Sequence, residues 1–382
     1  MILLTSPSNG PGAVRRFLLP GLFVLALFVT LYMRRPVVEN GDVQGTTYSV
    51  QTKETYGRDQ IVISGATMGT TYTVKVALSS GDTPDQEKMA TAVAEALAAV
   101  NASMSTYQSE SELSRLNETQ SPEWLPVSAP LSTVLGMALD VAKASEGAFD
   151  PTIGPVVNAW GFGPNPRTDT PSDDELTALK SRVGWTHLEL DRVGLRLKKA
   201  QPAAYIDLSA VAKGYGVDRV AEILDAHGAK DYLVEVGGEL RAKGVNTVGV
   251  PWRVGIESPD SVIRGTQNAI GLADVSMATS GDYRNYREVD GQRISHTIDP
   301  RTLKPITHRL ASVTVVAKTC AEADAWATAL NVLGPDDGVR IARAEALAAY
   351  FLVKTADGSL EVVRTEAFQA IEDATQVPSG AQ

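Results

Sequence analysis

One cysteine, Cys320, and four histidines stand in 382 residues. The first scarcity excludes an intrachain disulfide and any zinc site built on cysteines; the second leaves little for a His-rich metal cluster. Positive charge is also short: 35 Lys+Arg against 45 Asp+Glu give a formal net charge of −10. That balance argues against a general nucleic-acid binder, and an anionic substrate would have to meet a local cation or a metal. Hydrophobic residues at 43% with 21% charged are those of an ordinary globular protein, so no disorder-dominated reading is needed. The length suffices for a large core and, as a prior, about two domains.

Long apolar runs are scarce too. The one that could span a bilayer is FLLPGLFVLALFVTLYM, residues 17–33, with Arg15-Arg16 before it and Arg34-Arg35 after it. Such a run gives about 25 Å of helix, short but workable once the flanking arginines snorkel. We read it as a transmembrane signal anchor. A cleaved secretory signal is the competing reading, but no small-x-small cleavage site follows Leu31-Tyr32-Met33. No cysteine stands directly after the run, which excludes lipid attachment there. The chain then divides into a short polar tail (1–16), the anchor (17–33), a linker (34–60), a folded domain (61–372) and a flexible tail (373–382).

Within the domain, a helix is expected over 83–100 and another over 111–117. A third runs over 129–145 with Ser128 as N-cap and Gly147 at its end. Residues 147–164 are dense in Gly and Pro and carry Phe149, Trp160 and Phe162, which reads as an ordered loop suited to a ring-shaped ligand or simply to packing. A hairpin is expected over 186–199. Further on, a strand ending in Asp207 meets a helix that begins near Ser209, bringing free N–H groups and Lys213 together. That corner could receive a phosphate, although Asp207 could equally be a plain N-cap and Lys213 a solvated side chain. It is not a P-loop, since GxxxxGK[ST] is absent.

A Gly237-Gly238 bulge is expected in the strands of 231–244, and a small-residue turn over 278–282. The hairpin after that turn, closed by Asp290-Gly291, delivers His296 to a strand end. A helix opening near Thr319 carries Asp324 and Thr328 four apart, one above the other on one face. They are either half of an oxygen-ligand cation site still needing a third donor, or ordinary polar positions.

Several motifs stand in a telling order: Met68-Gly69-Thr70-Thr71-Tyr72, Met104-Ser105-Thr106-Tyr107 with Ser111-Glu112-Leu113-Ser114, Gly147-Ala148-Phe149-Asp150, Asp207-Leu208-Ser209-Ala210-Val211-Ala212-Lys213-Gly214, Val236-Gly237-Gly238-Glu239, Ser295-His296-Thr297-Ile298-Asp299-Pro300 and Asp324-Ala325-Trp326-Ala327-Thr328-Ala329-Leu330. Together they resemble the ApbE-type FAD:protein FMN transferases over about residues 61 to 355. The resemblance agrees with an α+β fold of mixed sheets and packed helices in two lobes. It implies Mg²⁺-dependent transfer of the FMN half of FAD to a Thr or Ser of a partner protein through a phosphoester, releasing AMP. It further implies that Met68, Tyr107, Ala148, Phe149, Asp150, Asp207, Lys213 and Ile298 line the FAD site. Asp324 and Thr328, with the backbone oxygen of Ala210, would hold the metal, and His296 would be the catalytic acid/base. The expected partner is a membrane redox-complex subunit, met by a catalytic domain on the periplasmic side of a bacterial inner membrane and tethered there by the N-terminal helix.

Two departures stand out. Ala327 occupies a position where some members carry an extra Asp, and the lipoprotein cysteine of many members is missing. A metal-dependent FAD pyrophosphatase and a non-enzymatic FAD-binding protein remain as alternatives.

Overall fold

The computed structural model describes residues 39–164, 167–256, 269–281, 286–289 and 292–375. Period-two alternation in Gln60–Thr67 and Thr70–Ala77 makes a tight hairpin, turned by Met68 and Gly69 at φ 49° and 70°. Positive φ at both turn residues matches the right-handed twist of the strands it joins.

That hairpin belongs to a ten-stranded sheet. Its order is Glu39–Val43, Thr46–Lys53, Gln60–Thr67, Thr70–Ala77, Tyr232–Val236, Glu239–Lys243, Val275–Gly281, Leu310–Ala317, Ala348–Lys354 and Leu360–Arg364. From Thr46–Lys53 onward each neighbouring pair is antiparallel. A smaller sheet joins Leu125–Pro126, Arg196–Lys199 and Leu188–Asp191, which includes the expected hairpin.

Helices cover both faces. Gln86–Met104 and Ser209–Ala226 bury Met89, Leu97, Val217 and Leu224 against Ile61, Val74 and Val234. Beside them, Ala129–Ala144 and Cys320–Ala344 bury Leu131, Trp326 and Leu330 against Val313 and Val315. Glu366–Thr375 closes the opposite face, setting Phe368 with Trp252, Leu272 and Tyr350. Because Leu310–Ala317 is sandwiched on both sides, its residues read as an apolar run rather than an alternation. The α+β class expected from the sequence therefore holds.

Local chemistry sets the helix starts: Asp85, Ser111, Ser128 and Thr319 each accept from the N–H three residues on, Ser128 as expected, while the first two helices begin at Gln86 and Glu112 rather than at 83 and 111. Cys320–Ala344 changes direction at Gly334 (φ 77°, ψ −173°), just before Pro335.

Several expectations are corrected. Residues 34–60 are not only a linker: Thr46–Lys53 pairs with Gln60–Thr67 and buries Val50 in the core, so the folded part starts before residue 61. The segment is polar, but its Thr and Tyr suit a strand as well as a tether. Gly237-Gly238 is the turn of a hairpin, with φ 61° and 106°, not a bulge. The small residues of 278–281 lie within a central strand packed under Cys320–Ala344, not in a turn. Residues 204–208 form no strand, because the N–H and C=O of Ile206 bond to the Asn117 side chain at 2.7 and 2.8 Å. The helix Glu366–Thr375 reaches into the expected flexible tail. The anchor (17–33) and the Asp290-Gly291 turn lie outside the described residues. Among the described residues no helix is long and apolar enough to cross a membrane.

Candidate active site

The site is built on the crossing of Ser209–Ala226 with Cys320–Ala344. Gly214 permits the contact, since a Cβ there would lie 2.4 Å from the Cys320 carbonyl oxygen. Two aspartates lock the crossing from opposite sides. Asp218 accepts from Cys320 N–H (2.8 Å) and Ala321 N–H (2.9 Å), while Asp324 Oδ2 accepts from Gly214 N–H (3.1 Å).

Next to Gly214, Lys213 extends its ammonium between two carboxylates, 3.3 Å from Glu239 Oε1 and 3.8 Å from Asp324 Oδ2. Asp324 is 3% exposed and Glu239 5%. Burial works against the Lys213 charge, but Asp324 and Glu239 outweigh it and hold the amine well above its usual range. Burial raises the Glu239 carboxyl, with Lys213 pulling the other way. The lone cationic element expected of Lys213 is thus already shared. With Lys213 already shared between Asp324 and Glu239, the corner holds no spare positive charge for a bare phosphate.

Several oxygens around this corner could meet a divalent ion. Asp324 gives a carboxylate, and Thr328, one turn on, a hydroxyl 3.3 Å from Ser280 Oγ. Glu239 Oε2 is buried with no hydrogen-bond partner. Ala210, in the first turn of Ser209–Ala226, has a backbone carbonyl to offer. Hard oxygen donors of this kind fit Mg²⁺. No group of three or more His, Cys, Asp or Glu side chains clusters as a metal site among the described residues.

The His296 arm reaches the same helix. Strands Tyr286–Val289 and Gln292–Ser295 pair antiparallel and lead to a bend at His296. Its ring meets Phe162 edge-on, with centroids 6.3 Å apart. The following residue is held three ways: Thr297 N–H donates to Ser295 Oγ (3.1 Å), its carbonyl accepts from Ile306 N–H (3.1 Å), and its Oγ1 accepts from Asn331 Nδ2 (3.2 Å). Asn331, 1% exposed, lies seven residues after Asp324, so Asp324, Thr328 and Asn331 share one face of the helix. Sequence reading missed Asn331, although that spacing was the signal; it also left Glu239 without a role.

The remaining expected residues are distributed around this frame. Ala148 and Phe149 are buried in the main core. Asp150 is fully engaged: Oδ1 accepts from Thr152 N–H and Oγ, and Oδ2 from Trp185 N–H. Burial raises its carboxyl despite these donors. Asp207 Oδ1 accepts from Ser209 N–H (2.9 Å) and Oγ (2.5 Å), ahead of the helix that bears Lys213. Tyr107 is 68% exposed and close enough to Asp207 that, after partial burial, this carboxylate helps raise its hydroxyl. Met68 touches the same helix at Gly216, where a Cβ would lie 3.0 Å from its methyl group. Ile298 packs with Val156, Leu176 and Leu303.

Known proteins share this sequence pattern and fold. The sequence pattern of the ApbE family matches residues 68–351. The FAD:protein FMN transferase of Vibrio cholerae serotype O1 is 47% identical over 278 residues, covering 72% of this chain and 83% of its own. That of Haemophilus influenzae is 46% identical over 281 residues, covering 72% and 81%. Among solved structures, the flavin transferase ApbE from Vibrio cholerae superposes with a TM-score of 0.76 at 44% identity, over 82% of this chain and 99% of that one. Pseudomonas stutzeri flavinyl transferase ApbE, in its apo form, gives 0.76 at 39% identity, over 84% and 99%. Fold and sequence define a flavin transferase enzyme, and the chain belongs to the ApbE family.

Proposed function

We propose that this enzyme transfers the FMN moiety of FAD to the hydroxyl of a threonine or serine in an acceptor protein, forming a phosphoester and releasing AMP. The acceptor oxygen bonds to the FMN phosphorus as the pyrophosphate P–O bond to the AMP half breaks, and the hydroxyl proton passes to His296. A neutral imidazole is suited to that task near neutral pH. Such a reaction asks mainly for position and charge neutralisation. The supporting observation is the single helix face that bears Asp324 and Thr328 and, through the Asn331–Thr297 hydrogen bond, fixes the residue after His296. Asp324, Thr328 and the Ala210 carbonyl would hold Mg²⁺, which when bound neutralises phosphoryl charge. Met68, Tyr107, Asp207 and Lys213 bind FAD, and Ala148, Phe149, Asp150 and Ile298 shape the pocket around it. The apolar run of residues 17–33 anchors the chain in the inner membrane, with the catalytic unit facing periplasmic redox subunits.

The test is incubation of the full chain with FAD, Mg²⁺ and an acceptor protein, reading flavin fluorescence on the acceptor in a denaturing gel. His296→Ala should retain FAD binding and label the acceptor at least about 100-fold more slowly. Unchanged labelling by that variant removes His296 from the reaction. AMP released without a labelled acceptor would replace transfer by hydrolysis.

A further inference from the structure

Glu239 carries a cost with no structural return of its own. A carboxylate at 5% exposure is expensive to bury, and here one of its oxygens, Oε2, has no hydrogen-bond partner. Its other oxygen meets Lys213, although Lys213 already has Asp324 within reach. One carboxylate would satisfy the ammonium; the second gives it another partner. The backbone is shaped for this arrangement. Glu239 opens its strand opposite Val236, and the intervening Gly237, at φ 61°, lets the Lys213 stem pass where a Cβ would lie 3.3 Å from Cδ.

We propose that Glu239 is a positioning residue for the cation site: it holds the Lys213 ammonium off Asp324 and so keeps that carboxylate open to a divalent ion. The distances already favour Glu239, 3.3 Å against 3.8 Å. Without a carboxylate at 239, Lys213 and Asp324 would close into a one-to-one pair, and the ammonium would compete with the metal for the same oxygen. The inference rests on the reading that Asp324 and Thr328 bind Mg²⁺. It adds the group that regulates access to them.

The experiment is Mn²⁺ binding to the FAD-free full chain, followed by the paramagnetic resonance signal of the free ion. It compares the parent with Glu239→Gln, Lys213→Met and the double variant. Glu239→Gln should weaken Mn²⁺ by about 10- to 100-fold, the range for lost supporting partners of a metal ligand. Adding Lys213→Met should regain most of that loss, because the competing ammonium is gone; a merely structural Glu239 would not be rescued this way. Glu239→Asp, which keeps the charge on a shorter stem, should fall between parent and Gln and covers the case that Glu239→Gln folds poorly. A parent that binds Mn²⁺ with Glu239→Gln binding equally well overturns the role of Glu239 alone. A double variant no tighter than Glu239→Gln does the same. A parent that binds no Mn²⁺ overturns the metal reading itself.

Discussion

Asp218 and Asp324 reach across the same pair of helices in opposite directions, yet they are used differently. Asp218 has both oxygens on backbone N–H groups at the start of Cys320–Ala344, which completes its hydrogen bonding and caps the helix. Asp324 has only Oδ2 engaged among the described residues, by one N–H and a shared ammonium. Asp150 repeats the first pattern, both its oxygens taken by Thr152 and Trp185. A buried carboxylate fully paired with backbone donors holds shape; one left partly engaged beside a lysine keeps capacity for a ligand.

Asp324→Ala tests the chemical end of this contrast and should have the largest effect. Acceptor labelling is expected to fall at least about 100-fold at fixed Mg²⁺ and to recover partly as Mg²⁺ is raised. Labelling that stays near the parent rate would make Asp324 as structural as Asp218.

Gly214→Ala strikes the crossing itself. The added Cβ at 2.4 Å from the Cys320 carbonyl forces the helices apart, an overpacking strain of about 1–3 kcal/mol. Both Tm and labelling should drop. A lower Tm with unchanged labelling would show that helix spacing does not set the site.

Asp218→Ala sharpens the structural end and should mainly change stability. Burial pushes the Asp218 carboxyl up to about 6, against the N–H groups of Ala321 and Cys320 and the charge of Arg241. Its folded value thus lies above its unfolded value of roughly 4. The stability this titration contributes is complete below the unfolded value and is lost as pH rises through the folded one. Denaturant melts of the parent should therefore show a fall between about pH 4 and 6 that the variant lacks. Labelling per folded molecule should change little.

Much of this frame was legible in the chain because it is local. Ser128 announced its helix through capping chemistry, and Asp324 and Thr328 showed their shared face by spacing alone. What stayed hidden depends on distant partners. Glu239 is a strand residue whose meaning comes from Lys213, and Asn331 acquires its role from Thr297, 34 residues away in sequence. The strand at Thr46–Lys53 looked like a tether because its polar residues find their register only against Gln60–Thr67. Residues 278–281 suggested a turn because their small side chains suit one, whereas here they allow a helix to lie close over the sheet.

The chain's single thiol sits at that helix crossing. Cys320 is wholly buried, and burial, with Asp218, Asp324 and Glu239 around it, pushes its thiol well above the usual range. Native protein should therefore resist alkylating reagents until Ser209–Ala226 and Cys320–Ala344 part. The pace of Cys320 modification becomes a built-in clock for breathing of the catalytic frame, read from one atom without any introduced label.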